Sequence, residues 1–226
     1  RQGRSMITTF EQLEGVIAQR KGKKILAVAG SHDEHVLRTV VRACEKGLAE
    51  AVLIGREKET KQILSQLGCK AEFEFIDLAQ DEEIANRACK MVWEKNADIP
   101  MKGMIKTASF MRAVLDKNYG FVGEKALLSQ ATVFEFAGRL RFAADCAVNI
   151  EPSYEEKVKI VKNTVALARR FGIETPKVAV LAPVEVVNPK MQATIDAAML
   201  TVACGRGQLG SCIVDGPLAL DNALSK

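Results

Sequence analysis

The stretch "KILAVAGSHDEHVLRTVVRACEKGLAEAVLIG", residues 24–55, decides the fold. It opens with a short apolar run, 24–30, that closes on Gly30 and reads as a buried strand. Residues 33–47 then read as a helix. Acids occupy the first turn, where free N–H groups favour negative charge, and Gly47 stops it. "AVLIG" (51–55) is a second buried strand, again closed by glycine. Strand, helix and strand in so short a span make a βαβ unit, and its two strands run parallel.

The same alternation continues on both sides. Phe10, Leu13, Val16 and Ile17 form a helical stripe ahead of it. After it come a helix over 57–67, the strand "FEFID" (73–77), a helix over 81–94, the strand "DIPMKG" (98–103) and a helix over 107–117. Pro100 cannot donate to a ladder, so the strand at 98–103 is short or at an edge. Strand–helix alternation of this length predicts a doubly wound, mostly parallel α/β sheet with helices on both faces. The near-continuous apolar strands fit a sheet covered on both sides.

The rhythm changes at 131–150, which reads as two or three strands with Gly138 in a turn. A helix over 154–171, a strand over 177–183, a helix over 189–203 and a strand over 212–215 follow. Pro217 is expected to open one more helix. The expected organisation is a tag remnant at 1–5, a first α/β domain over 6–148 and a second, incomplete one over 149–226.

Composition narrows the function classes. Of 226 residues, 48% are apolar and 27% charged, the balance of an ordinary globular chain. The net charge of +4 is spread out, which suits small anionic ligands better than nucleic acid. With aromatics at 5%, a base-stacking platform is not expected either. No apolar run approaches the ~20 residues that span a bilayer, and no signal peptide is evident, so a cytoplasmic protein without a membrane partner is expected. The six cysteines contain no CxxC and there are only two histidines, so a zinc site is not expected and the cysteines read as reduced thiols.

Ligands of open α/β sheets bind beyond the C-terminal strand ends. Of the loops found there, "MKGMIKTAS" (101–109) is the most informative. Gly103 permits a close backbone approach and Lys102 and Lys106 flank it. Thr107, Ala108 and Ser109 open a helix whose free N–H groups suit an anion. Arg112, one turn further, offers a bidentate contact to phosphate. The plainer reading is Thr107 as an ordinary N-cap beside solvated lysines. Asp145 and Asn149, polar among apolar neighbours, either satisfy buried backbone groups or serve a cleft. Asp215 ends a strand, where it caps a following helix or faces a cleft. His32 and His35 read as surface residues at a helix start. The glycine-bearing loop "AGSHDE" (29–34) lacks GxGxxG, and no GxxxxGK[ST] or GxSxG pattern is present.

Four stretches taken together resemble the phosphate acetyl/butyryltransferase family: "MKGMIKTASFMRAVLDK" (101–117), "FAADCAVNIEP" (142–152), "VAVLAPVEVVNPKMQATIDAA" (178–198) and "CIVDGPLALDNALS" (212–225). Residues 28–55 fit that family's first βαβ unit, and "APVEVVNPKM" resembles the butyryl-type branch. The resemblance implies reversible acyl transfer, acyl-CoA plus phosphate giving acyl phosphate plus coenzyme A. It implies a two-lobed α/β fold like that of isocitrate and isopropylmalate dehydrogenases, and a homo-oligomer. Coenzyme A is then a substrate, and no cofactor or metal is required. Lys106, Thr107, Ala108, Ser109 and Arg112 are implied to hold phosphate, and Asp145, Asn149 and Asp215 to serve catalysis. Residues for coenzyme A are not assigned. Butyryl-type members tend to carry threonine where this chain has Ala144. Members also continue past "DGPLALDNALS" with a Ser-Arg stretch and a nearby acid implicated in catalysis, so a C-terminally truncated transferase is expected, with its general base beyond Lys226. Two alternatives stand beside this: an NAD-dependent dehydrogenase of the related fold, and a non-catalytic CoA-binding remnant.

Overall fold

Residues 24–55 form the parallel pair that their pattern predicts. The computed structural model describes residues 6–224. After a first helix, α1 (Phe10–Ala18), β1 (Lys24–Ala29) pairs with β2 (Ala49–Gly55), with Lys24 beside Ala49 and Ala29 beside Ile54. The connecting helix α2 (Glu34–Glu45) is N-capped by Asp33, whose carboxylate accepts the Val36 N–H. Next come α3 (Glu57–Gln66), β3 (Glu74–Asp77), α4 (Asp81–Trp93), β4 (Ile99–Lys102) and α5 (Thr107–Val114). The strand order is β3-β2-β1-β4, all parallel. Pro100 lies in β4, an edge strand of this sheet, where its missing N–H is tolerated.

Successive strand residues point to opposite faces, and both faces are covered. Val28 and Leu53 pack against Leu37, Val40 and Val41 of α2 and Leu64 of α3. On the other face Ala27, Ala29, Val52 and Ile54 pack against Ile84, Ala85, Ala88 and Met91 of α4 and Ala113 of α5. Each fully buried Leu, Ile or Val contributes about 1.5–3 kcal/mol.

This sheet and its helices make one of two compact units, Glu14–Glu124. The other joins the segment through Leu13 to the chain from Lys125 onward. The N-terminal segment belongs there because the Ile7 N–H donates to the Phe171 carbonyl (2.8 Å) and the Leu140 N–H to the Thr8 carbonyl (2.6 Å). The expected boundary at 148/149 falls inside this unit. Residues 127–129 are tied into it by side-chain amides, from Asn149 to the Leu128 carbonyl and from Asn163 to the Leu127 carbonyl and the Ser129 hydroxyl. The expected tag remnant, 1–5, lies outside the described residues.

Residues 131–150 hold two strands, β5 (Thr132–Phe136) and β6 (Arg139–Ala143), paired antiparallel. Ala137 (φ 50°) and Gly138 (φ 70°) form their turn, the left-handed pair that suits a two-residue hairpin. Helix α6 (Tyr154–Arg170) starts with a capping box between Ser153 and Glu156. Then follow β7 (Lys177–Leu181), α7 (Gln192–Gly205), β8 (Ile213–Leu218) and α8 (Leu220–Leu224), with β7 and β8 parallel. Val161 and Val165 of α6, Leu200 and Ala203 of α7, Leu209 and Val214 form the core. Lys157 of α6 makes an ion pair with the buried Asp196 of α7, and Gln192 donates a second hydrogen bond to it (2.8 Å).

Two expectations change here. Helix α7 starts at Gln192 instead of 189, because the Asn188 side chain accepts the Lys190 N–H and the Asn188 N–H donates to the Thr194 hydroxyl, closing a turn around Pro189. Pro217 lies inside β8, not at a helix start, and the last helix begins at Leu220. Gly216 makes this possible: a Cβ there would stand 2.7 Å from the Val180 carbonyl oxygen, so only glycine lets β8 run this close to β7. Gly216→Ala is therefore expected to lower the melting temperature, at a cost of about 1–3 kcal/mol. A higher melting temperature, as glycine-to-alanine changes give at unstrained open positions, would contradict this packing.

Candidate functional site

The strand order reverses between β1 and β4, and such a reversal is where open α/β sheets place ligands. Two glycines occupy it. The Gly103 N–H donates to the Ala29 carbonyl (2.7 Å) and the Met104 N–H to the Gly30 carbonyl (2.8 Å). A Cβ on Gly103 would lie 2.3 Å from the Gly30 oxygen. Gly30 has φ 89°, and a Cβ there would meet the Met104 backbone at 2.8 Å. The close approach that Gly103 permits is thus taken by the end of β1 and not by a ligand. The close backbone approach expected at Gly103 is one between the end of β1 and the exit of β4. The lock fixes how the chain leaves β4 to start α5.

At that start the N-cap is Lys106, and Thr107 is the first helical residue. The Lys106 N–H donates to the Asp81 carboxylate (3.0 Å). Lys106, Thr107 and Ala108 are exposed. The first-turn N–H groups have no acceptor within the helix. Ser109 is buried, and its hydroxyl donates to Glu82 (3.0 Å), so that side chain is committed inside the unit. Arg112 is 71% exposed, with its guanidinium 3.8 Å from the same Glu82 oxygen. An exposed pair of this kind contributes about 0–1 kcal/mol, so an anion can draw Arg112 away at little cost. Ala108 and Arg112, four apart, share a face of α5.

Asp81 and Glu82, acids in the first turn of α4, were not singled out in the sequence. They reach α5 because α4 and α5 pack on the same face of the sheet. The Glu82 carboxyl is held below its usual value by its own backbone amide, then by the Ser109 hydroxyl and more weakly by Arg112, against a smaller effect of burial. Any anion at this helix start meets that ionised carboxylate, and Lys106 and Arg112 offset it.

In the other unit Asp145 and Asn149 come together. One Asp145 oxygen accepts the N–H groups of Ala147 (3.0 Å) and Val148 (2.9 Å). The other accepts the Gln130 N–H (3.0 Å) and the Asn149 side-chain amide (2.6 Å). The same amide donates to the Leu128 carbonyl (3.0 Å). The carboxylate therefore organises its loop and has spent the roughly four acceptor positions such a group offers. Burial alone would raise its pKa. The amides of Ala147, Val148 and Gln130, with Asn149, outweigh that and hold it at about 2, which makes Asp145 a weak proton acceptor. Asp215 is exposed within β8, beside Ala179, and one oxygen accepts the Gly216 N–H (2.9 Å). It lies inside the strand, not at its end. Among the described residues it makes no hydrogen bond to Asp145 or Asn149, and no three His, Cys, Asp or Glu side chains are grouped to hold a metal ion.

A pKa lowered on folding stabilises the fold fully above the ordinary carboxylate value and loses that contribution as pH falls through the folded value. For Asp145 the loss falls between about 4 and about 2. Asp145→Asn is expected to cost roughly 2 kcal/mol at neutral pH and to flatten the acid limb of stability over that window. Equal acid limbs in variant and parent, measured by denaturant unfolding against pH, would contradict the network.

The family model "Phosphate acetyl/butaryl transferase" matches residues 79–226. A phosphate butyryltransferase of Clostridium acetobutylicum is 42% identical over 224 residues, covering 98% of this chain and 74% of that protein. A phosphate acetyltransferase of Thermotoga maritima is 41% identical over 212 residues, covering 93% and 71%. The crystal structure of a branched-chain phosphotransacylase from Enterococcus faecalis aligns with a TM-score of 0.74 at 26% identity, over 89% of this chain and 71% of that one. Residues 79–226 include the helix start at 107 and the Asp145 loop, and the chain belongs to the phosphate acetyl/butyryl transferase family.

Proposed function

We propose that this chain catalyses reversible transfer of a short-chain acyl group between coenzyme A and inorganic phosphate, with a butyryl-type preference. The observation that carries the reading is the exposed start of α5 at the β1–β4 reversal, with first-turn N–H groups that have no acceptor within the helix and an exposed Arg112 one turn further on. Phosphate sits against Thr107 and Ala108 with Arg112 on its oxygens. The buried Ser109 is left to hold α5 on α4.

In the forward direction a phosphate oxygen attacks the thioester carbonyl and the coenzyme A thiolate departs. In reverse, the thiol attacks the acyl phosphate and phosphate departs. Only a few per cent of a free thiol is thiolate at neutral pH, so a positioned base contributes about 10²–10⁴ in rate. Asp145 does not suit that task, since its acceptor positions are filled and its pKa is about 2. We read Asp145 and Asn149 as positioning residues of their loop and Asp215 as the carboxylate left open to a reacting group. Coenzyme A is a substrate in this scheme, with no separate cofactor, and the enzyme is a cytoplasmic homo-oligomer. The dehydrogenase alternative is not favoured, because the matching relatives are transferases.

Turnover of butyryl-CoA with phosphate tests the proposal. Arg112→Ala is expected to raise the phosphate KM by about 10–100-fold, as loss of a charge-assisted contact of about 1.5–3 kcal/mol would, while the acyl-CoA KM changes far less. An unchanged phosphate KM removes Arg112 from the site, and a parent chain that prefers acetyl-CoA overturns the butyryl preference.

A further inference from the structure

The connection from α7 to β8 carries two cysteines that the transfer reaction does not use. Cys204 sits in the last turn of α7, Cys212 directly before β8, and both are half-buried. Their sulfurs are 3.9 Å apart. The Cys204 thiol donates to the Cys212 carbonyl (3.2 Å) and the Cys212 thiol to the Leu209 carbonyl (3.8 Å). Leu209 is buried in the core, and Gly207 (φ 75°) and Gly210 (φ 81°) take the left-handed turns that fold the connection back on itself. Among the described residues no other two sulfurs are recorded in contact. A disulfide has sulfurs about 2.0 Å apart, so closure asks each thiol to move by about 1 Å, a small rotation about its Cα–Cβ bond.

We propose that Cys204 and Cys212 form a reversible redox site, closed to an intramolecular disulfide by a low-molecular-weight disulfide. One protein thiolate attacks a sulfur of the small disulfide, forms a mixed disulfide and expels one small thiol. The neighbouring cysteine, also as thiolate, then attacks the mixed bond at the protein sulfur and expels the second. Two protein thiols are oxidised, the small disulfide is reduced to two thiols, and the two protons leave on those products. Cys212 rests in the thiol form, because burial pushes its thiol up and the Cys204 sulfur adds to that, with Arg169 opposing. Oxidation therefore quickens as pH rises. Closure ties the end of α7 to the start of β8, the strand that carries Asp215. It also constrains the unfolded chain, which raises stability.

The test is incubation of the chain with oxidised glutathione, followed by peptide mapping without reductant and by thermal unfolding. The expected result is a Cys204–Cys212 crosslink that dithiothreitol removes, with the melting temperature several degrees higher in the crosslinked form. Cys204→Ser and Cys212→Ser should each abolish both effects. Serine keeps a donor for the same carbonyls, and the reduced variants should melt near the reduced parent. Cys146→Ser, which removes the exposed thiol, should retain the crosslink. No reaction, a stable glutathione adduct on either cysteine, or a bond to Cys146 in place of the internal one would each overturn the proposal.

Discussion

The backbone contact between Gly30 and Gly103 is the constraint on which the candidate site rests. It lies at the one place where the parallel sheet reverses its strand order. Neither position tolerates a Cβ, since one would fall 2.8 Å from the Met104 backbone and the other 2.3 Å from the Gly30 oxygen. The two hydrogen bonds across it fix the path from β4 into α5. The direction of α5, and with it the field of its unsatisfied N–H groups, follows from that path. A helix start held by a rigid turn costs less to organise around an anion than one on a mobile loop.

Carboxylates and backbone N–H groups meet twice in this chain, with opposite results. Around Asp145, three backbone amides and one side-chain amide close on a single carboxylate, and the loop becomes self-sufficient. At α5, Asp81 takes the Lys106 N–H, and Glu82 takes Ser109 and lies near Arg112. The next N–H groups and an exposed arginine are left over. The first arrangement is a folded-state brace and the second can still accept an anion. Their difference follows from how many donors each carboxylate has recruited, not from which residue types are present.

The architecture of Glu14–Glu124 was legible because each of its elements is announced locally, by periodicity and by glycines at Gly30, Gly47, Gly55 and Gly68. The hairpin turn at Gly138 was legible for the same reason. What could not be read depends on contacts between distant segments. Pro217 suggested a helix start locally, but pairing with β7 draws it into β8. Ser109 looked like a phosphate ligand until α4 placed Glu82 against it. Gly103 was rightly expected to permit a close approach, yet its partner, Gly30, lies 73 residues earlier. Asp145 and Asn149 left two readings open in the sequence, and the amides of Gln130, Ala147 and Val148 with the Leu128 carbonyl favour the structural one.

The most direct measurement is a phosphate titration followed by the backbone and arginine nitrogen resonances of the isotope-labelled protein. The account predicts saturable shifts at Thr107, Ala108 and the Arg112 side chain, with the Ser109 hydroxyl remaining on Glu82. Saturable shifts confined to other parts of the chain, with these signals unmoved, would contradict it.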